Sequence, residues 1–335
     1  MKHLYLKTIV ACLFISTCIN AATYDCIVDG IYYNLNQAEK KAQVAEAPTT
    51  KDRYSGDIII PSEIVYNNTV YTVTSIGNSA FSHCEALTNV FIPNSVDSIG
   101  WTAFGYCTSL QLLSLPNSIV SIGWSAFGGC NNLTTINIPI GLTVIEEELF
   151  YHCSSLTSVT IPENVTKIKY RAFDGCTSLT TIFIPNSVKE LGESAFSGCA
   201  GLTSVYLGNG IEKLQDGAFA YCTGLTDVYC YASECPITSN FAFEHTDTGI
   251  TTLHVPASSV SAYKEHNVWK KFKEVVALTD EEMALNIVSP KDRFEKTDKT
   301  SIRIYDLNGH RLNTLKKGPN IIKTRDGRMV KVMKQ

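Results

Sequence analysis

Phenylalanine recurs every 23 residues through the middle of this chain, at Phe81, Phe104, Phe127, Phe150, Phe173, Phe196 and Phe219. Three residues after each stands a cysteine: Cys84, Cys107, Cys130, Cys153, Cys176, Cys199 and Cys222. Counting from each cysteine, apolar residues return at +3, +6, +8, +12 and +15, with Ala-Phe at +19 and +20 in most copies. A unit this short cannot bury its own apolar face. Successive units must stack and share one continuous core, which makes the chain a solenoid.

Within a unit, Leu at +3 and the alternating pair at +6 and +8 (Val90 and Ile92, or Ile182 and Ile184) predict a short strand with one buried face. Pro93, Pro116, Pro139, Pro162 and Pro185 end that strand, since proline has no N–H to continue a ladder. Asn-Ser after several of these prolines makes the turn. The +12 to +15 stretch predicts a second short strand, and the Ala-Phe stretch, small and free of proline, a helical turn. The expected fold is mainly β, a solenoid over residues 61–252 with two parallel sheets and one helical turn per rung. A β cap is expected at 23–60, with Asp29-Gly30 as a turn and a partner strand at 43–47, and a second cap at 253–278. The periodic phenylalanines and cysteines are the expected core, each buried phenylalanine contributing roughly 1.5–3 kcal/mol.

Residues 1–22 read as a secretory signal: Lys2 and Lys7 precede an apolar core at 8–19, and Ala21-Ala22 suit cleavage. The core is too short for a stable bilayer anchor. A second reading is a lipoprotein, because Ile15-Ser16-Thr17 before Cys18 resembles a lipobox. Twelve cysteines in an exported chain would ordinarily suggest disulfides. Stacked rungs bring the periodic cysteines ~4.8 Å apart, but with side chains parallel rather than facing. Buried thiols acting as small hydrophobes are the expectation. No C-x-x-C pair offers zinc its usual spacing. Cys230 and Cys235 are placed to close a small loop.

With 28 Lys/Arg against 32 Asp/Glu, the chain lacks the basic excess of a nucleic-acid partner. The balance is uneven along the chain. Residues 301–335 carry nine Lys/Arg and two Asp, for +7, which leaves −11 on the rest. A polar linker is expected at 279–299. A small β tail follows at 300–335, with three strands turning at Asn308-Gly309 and Asp326-Gly327. No nucleophile elbow, zinc-protease, phosphate-loop or dinucleotide motif is present. His83 and His152 share a column but lie three rungs apart, ~14 Å at strand spacing. No enzyme activity, metal or cofactor is expected.

Two surface columns remain as candidate binding residues. At +7, facing outward on the first strand, stand Phe91 and then, on consecutive rungs, Phe183, Tyr206 and Tyr229. Rigid aromatics are enriched at interfaces, though stacked aromatics also stabilise neighbouring strands. At +17 stand Trp101, Trp124 and Tyr170, with Tyr106 and Tyr221 on adjoining turns.

The cap "VDGIYYNLN", the lead-in "YTVTSIGNSAF" and every repeat to Phe219 resemble the leucine-rich repeats of the BspA-like family of Bacteroidetes-type surface proteins. "LHVPASSVSAYK" with "WKKFKEVVAL" is similar to that family's terminal cap. The departures are Gly208-Asn209-Gly210 in place of the proline turn, Leu149 for alanine, and a one-residue slip to Ala242-Phe243. The tail, with "YDLNG", resembles a type IX secretion sorting domain, which implies contact with outer-membrane secretion machinery. The family resemblance implies a secreted or cell-surface, adhesin-like protein that recognises an extracellular protein or glycan through its solenoid. The alternative is a self-associating structural component of a surface layer or matrix.

Overall fold

The computed structural model describes residues 24–279 and 282–283, together with the backbone of four strands near the C-terminus. The signal segment with Cys18, most of the linker, and the turns at Asn308-Gly309 and Asp326-Gly327 lie outside the described residues.

Each rung has three sides. The first is a column of parallel strands, Gly56–Ile59, Leu87–Phe91, Leu112–Ser114, Thr135–Asn137 and Ser158–Thr160. It resumes with Thr181–Ile184, Ser204–Leu207, Asp227–Cys230, Thr252–Val255 and Glu274–Ala277. This column passes both expected limits of the solenoid. Gly56–Ile59, assigned to the N-terminal cap, pairs parallel with Leu87–Phe91, and Glu274–Ala277, assigned to the C-terminal cap, pairs parallel with Thr252–Val255. The physical reason is that strand pairing needs the +3 to +8 alternation but not the rest of the repeat.

The second side begins with Thr69–Ile76 and continues as two-residue strands from Ser98–Ile99 to Ile237–Thr238. Between the first and second sides, Val96, Ile119, Leu142, Val165 and Val188 donate N–H to the carbonyl of the proline three residues earlier. Ile211 does the same to Gly208, so the Gly-Asn-Gly departure preserves the turn. Gly210 is required there, because a Cβ would fall 1.9 Å from the Asn186 carbonyl oxygen of the rung below.

The third side is not the expected helical turn. Position +18 is left-handed in Ser79, Thr102, Ser125, Glu148, Arg171 and Ser194, with φ between 47 and 55°. Position +22 is left-handed as well, at His83, Tyr106, His152 and Tyr221 and at Gly129, Gly175 and Gly198. Two left-handed residues bracketing Ala-Phe cannot continue a right-handed helix. The chain instead makes successive turns whose spare N–H groups reach the next rung. Phe81, Phe104, Phe127, Phe150, Phe173, Phe196 and Phe219 each donate to the +19 carbonyl of the following rung, at 2.7–3.1 Å. This side is therefore hydrogen-bonded along the solenoid much as the strands are.

Inside, the seven phenylalanines are buried and stack on one another at 5.0–5.7 Å. Phe243 extends the stack despite the one-residue slip. Tyr54 covers its N-terminal end, and Trp269 and Phe272 meet Phe243 edge-on at the other. The seven cysteines are buried and free. From Cys107 onward each Sγ–H donates to the phenylalanine carbonyl of the preceding rung, at 3.0–3.3 Å. The thiol is thus a small donor as well as a filler. In the last rung Thr246 takes the place, and its hydroxyl donates to the Phe219 carbonyl at 2.7 Å. Burial pushes the Cys130 and Cys222 thiols up to about 12 and Cys84 to about 11. Cys230 and Cys235 are also free. Cys230 fills the inward +8 position, with its Sγ 3.2 Å from the Tyr263 hydroxyl.

The N-terminal cap is a meander of Cys26–Val28, Ile31–Asn36 and Lys41–Val44. Its third strand begins two residues before the expected 43–47. Asp29-Gly30 and Asn67-Asn68 both have positive φ at two successive residues, the type I′ requirement of a tight hairpin. The tail is a four-stranded antiparallel sheet of Arg303–Tyr305, Arg311–Leu312, Gly318–Lys323 and Met329–Lys334, one strand more than expected.

Candidate functional site

The two candidate columns meet different fates. Phe183, Tyr206 and Tyr229 stand in register on adjacent parallel strands, because the outward +7 position repeats without slip across these rungs. Their rings stack at 4.3 and 4.4 Å and nearly parallel. His254 adds a fourth ring at 4.3 Å from Tyr229. Asp227 lies 3.1 Å from its Nε2 and Glu282 3.3 Å from its Nδ1. Burial, then Tyr206, pushes the Tyr229 phenol up. Each internal ring lies face to face with its neighbours, so a partner approaching this strip meets ring edges. Phe91 does not join the strip: Ser114, Asn137 and Thr160 intervene, and its register partner on the other side is Ile59.

The +17 column is built differently. Its carbonyls accept the +18 N–H of the preceding rung, as in Thr102 to Trp124, Ser125 to Glu147, Glu148 to Tyr170 and Arg171 to Glu193. The backbone is therefore a regular ladder, and the αL residue that follows projects every +17 side chain outward. Trp101, Trp124 and Tyr170 are 41, 48 and 39% exposed. The indoles of Trp101 and Trp124 stack at 5.5 Å and 3°. Tyr170 comes two rungs after Trp124, roughly 9.6 Å at strand spacing, with Glu147 between them.

Across the turn, the +22 side chains lean toward the C-terminal end. His83 stacks on Tyr106 at 4.7 Å, and Tyr221 on His245 at 4.6 Å. Tyr106 lies over Gly129, where a Cβ would come within 2.6 Å of its ring. His152 meets Tyr151 edge-on at 4.2 Å and shares nothing with His83. Among the described residues no cluster of His, Cys, Asp and Glu is arranged to hold a metal ion. Among the described residues, one open concavity is lined by Lys264, Lys270, Lys273 and Val275. No described helix is long and apolar enough to cross a membrane.

Sequence reasoning missed His254 and three carboxylates. His254 follows Tyr229 by 25 residues rather than 23, and only the T-L-H-V alternation signals it. The carboxylates Glu147, Glu193 and Asp216 share the +17 column but carry no aromatic signal.

A parallel β solenoid with hydrogen-bonded ladders along its sides belongs to the class of repeat scaffolds, whose stacked units create extended binding surfaces. The chain belongs to the BspA-type leucine-rich repeat family, whose model matches six copies over residues 62–175 and 143–267. Among solved structures it is similar to a leucine-rich repeat protein from Bacteroides ovatus, at 22% identity over 76% of this chain and 77% of that one, TM-score 0.46. It is also similar to a leucine-rich cell surface protein from Faecalibacterium prausnitzii, at 22% identity over 77% of this chain and 96% of that one, TM-score 0.45. A third likeness is the leucine-rich repeat protein of Treponema pallidum, at 27% identity over 64% of this chain and 86% of that one, TM-score 0.42. No curated protein matches the chain.

Proposed function

We propose that this protein is an exported, adhesin-like binding protein that engages an extracellular protein through the turn side of its solenoid, centred on Trp101 and Trp124. The observation that carries the reading is the exposure of two stacked tryptophans on a rigid hydrogen-bonded ladder. Exposed tryptophan held by a fixed backbone is a contact surface with little left to order on binding, and tryptophan is a frequent anchor at interfaces. Family membership supports a binding scaffold, and the signal-like residues 1–22 support export.

Replacing Trp101 and Trp124 together by serine tests this. Binding of the purified protein to immobilised extracellular matrix proteins, or to cells that retain the parent protein, should fall at least tenfold, a change of about 1.4 kcal/mol. The melting temperature should stay close to that of the parent. Equal binding by the double variant would move the contact surface away from this side. Protease accessibility on intact cells checks the location.

A further inference from the structure

The +17 column holds more than aromatics. In rung order from Asn78 it reads Asn78, Trp101, Trp124, Glu147, Tyr170, Glu193 and Asp216, and every one of these is exposed. It contains no lysine or arginine. Among the described residues, Glu147, Glu193 and Asp216 form no ion pair, although Asp216 accepts a hydrogen bond from the Ser239 hydroxyl. The neighbouring second-strand side behaves oppositely. There Lys167 and Lys213 flank Glu190 at 2.8 and 3.4 Å, Lys169 meets Glu146 at 2.7 Å, and Lys189 meets Glu212 at 2.8 Å. The protein thus satisfies its carboxylates on one side and leaves them without cations along the aromatic ladder. Of the cations flanking Tyr170, Lys169 is paired with Glu146 and Arg171 with Asp174 at 2.6 Å, although the Arg171 guanidinium also lies 5.7 Å from the Tyr170 ring of the column.

From this we infer that the column is a docking rail for an extended cationic segment of a partner protein, with arginine as the favoured side chain. The inference rests on the binding reading above and names the chemistry of the partner. A guanidinium is planar, stacks on aromatic faces and pairs with carboxylates. The turn side already holds one in this way, since the Arg171 guanidinium sits 4.6 Å above the Tyr151 ring while its Nε donates to Asp174. From Trp101 to Asp216 the column spans five rungs, roughly 24 Å, the length of about seven extended residues. Charge complementarity favours such a partner, because the chain outside its tail carries −11.

The test uses the full chain and a nona-arginine peptide. Trp269 is buried, so a change in tryptophan emission caused by binding at the surface reports chiefly on Trp101 and Trp124. Nona-arginine should perturb that emission and bind more tightly than nona-lysine, and raised salt should weaken it. Glu147→Gln, Glu193→Gln and Asp216→Asn together should weaken binding at least tenfold while leaving the melting curve in place. A control of equal charge, Glu63→Gln, Glu85→Gln and Glu163→Gln, should weaken it far less. Equal losses in the two triple variants would reduce the effect to bulk charge and overturn the inference. So would nona-arginine binding that leaves the tryptophan emission unchanged. Association between copies that is abolished by removing residues 301–335 would assign the rail to the chain's own basic tail, which also overturns it. Should the carboxylate variant keep its binding to matrix or cells while the tryptophan variant loses it, the contact surface stands and only its cationic partner falls.

Discussion

Two aromatic stacks run along this solenoid at the rung spacing, one inside and one outside. The inner stack, Phe81 to Phe243, has a ring on every rung; the outer one, Phe183 to His254, occupies four. Inside, each rung encloses a volume that only a large apolar side chain fills, and neighbouring rungs fill it in the same way. Outside, water occupies whatever the side chain leaves, so Ser114, Asn137 and Thr160 serve equally well at +7 on other rungs. Ring stacking is therefore a requirement of the core and an option at the surface. The optional stack covers its internal rings on both faces, whereas in the +17 column, among the described residues, Trp101 and Trp124 stack only on each other and stay 41 and 48% exposed.

The largest expected effect concerns the thiols beside the inner stack. The Cys130 and Cys222 thiols ionise near 12 when folded, against an ordinary 9.0, because burial disfavours the thiolate. A group raised in this way stabilises the fold fully below its unfolded value and loses that contribution as pH rises toward its folded value. Each such thiol should cost about 1.4 kcal/mol per pH unit between about 9 and 12. Summed over the column, this predicts steep alkaline unfolding, with a free-thiol titre that appears only on denaturation. A melting temperature that stays level through that window would show the column to be open to solvent.

Phe127→Ala or Phe173→Ala should come next, at about 3–5 kcal/mol, as large-to-small core changes do. Denaturant midpoints read this directly. A small effect would mean that the stack tolerates gaps as the outer one does, and the contrast between them would dissolve.

The outer stack should respond least. Changing Phe183, Tyr206 and Tyr229 to serine, asparagine and threonine removes three ring contacts, each worth about 0.5–1.5 kcal/mol. A loss of a few kcal/mol in stability, with partner binding retained, is the expected result. Binding lost at full stability would instead make this strip the contact surface and sharpen the comparison in the opposite direction.

The 23-residue period by itself determined the architecture and the identity of the core. In a solenoid, the residue one period away is the spatial neighbour, so inward positions can be counted off. Cysteine at a fixed offset from phenylalanine, and the proline turn, were legible for the same reason. Three things depended on the tertiary structure. Whether Ala-Phe forms a helix was decided by the left-handed residues on either side of it, and Ser79 or Glu148 does not announce a positive φ. His254 reached its column through two extra residues that break the count but not the strand pairing. Finally, the sequence places Phe183 and Trp124 alike in outward columns, and only packing separates them. Phe183 lies against the tyrosine of the next rung, while Trp124 stacks on Trp101 behind it, has a glutamate instead of a ring on the next rung, and remains 48% exposed.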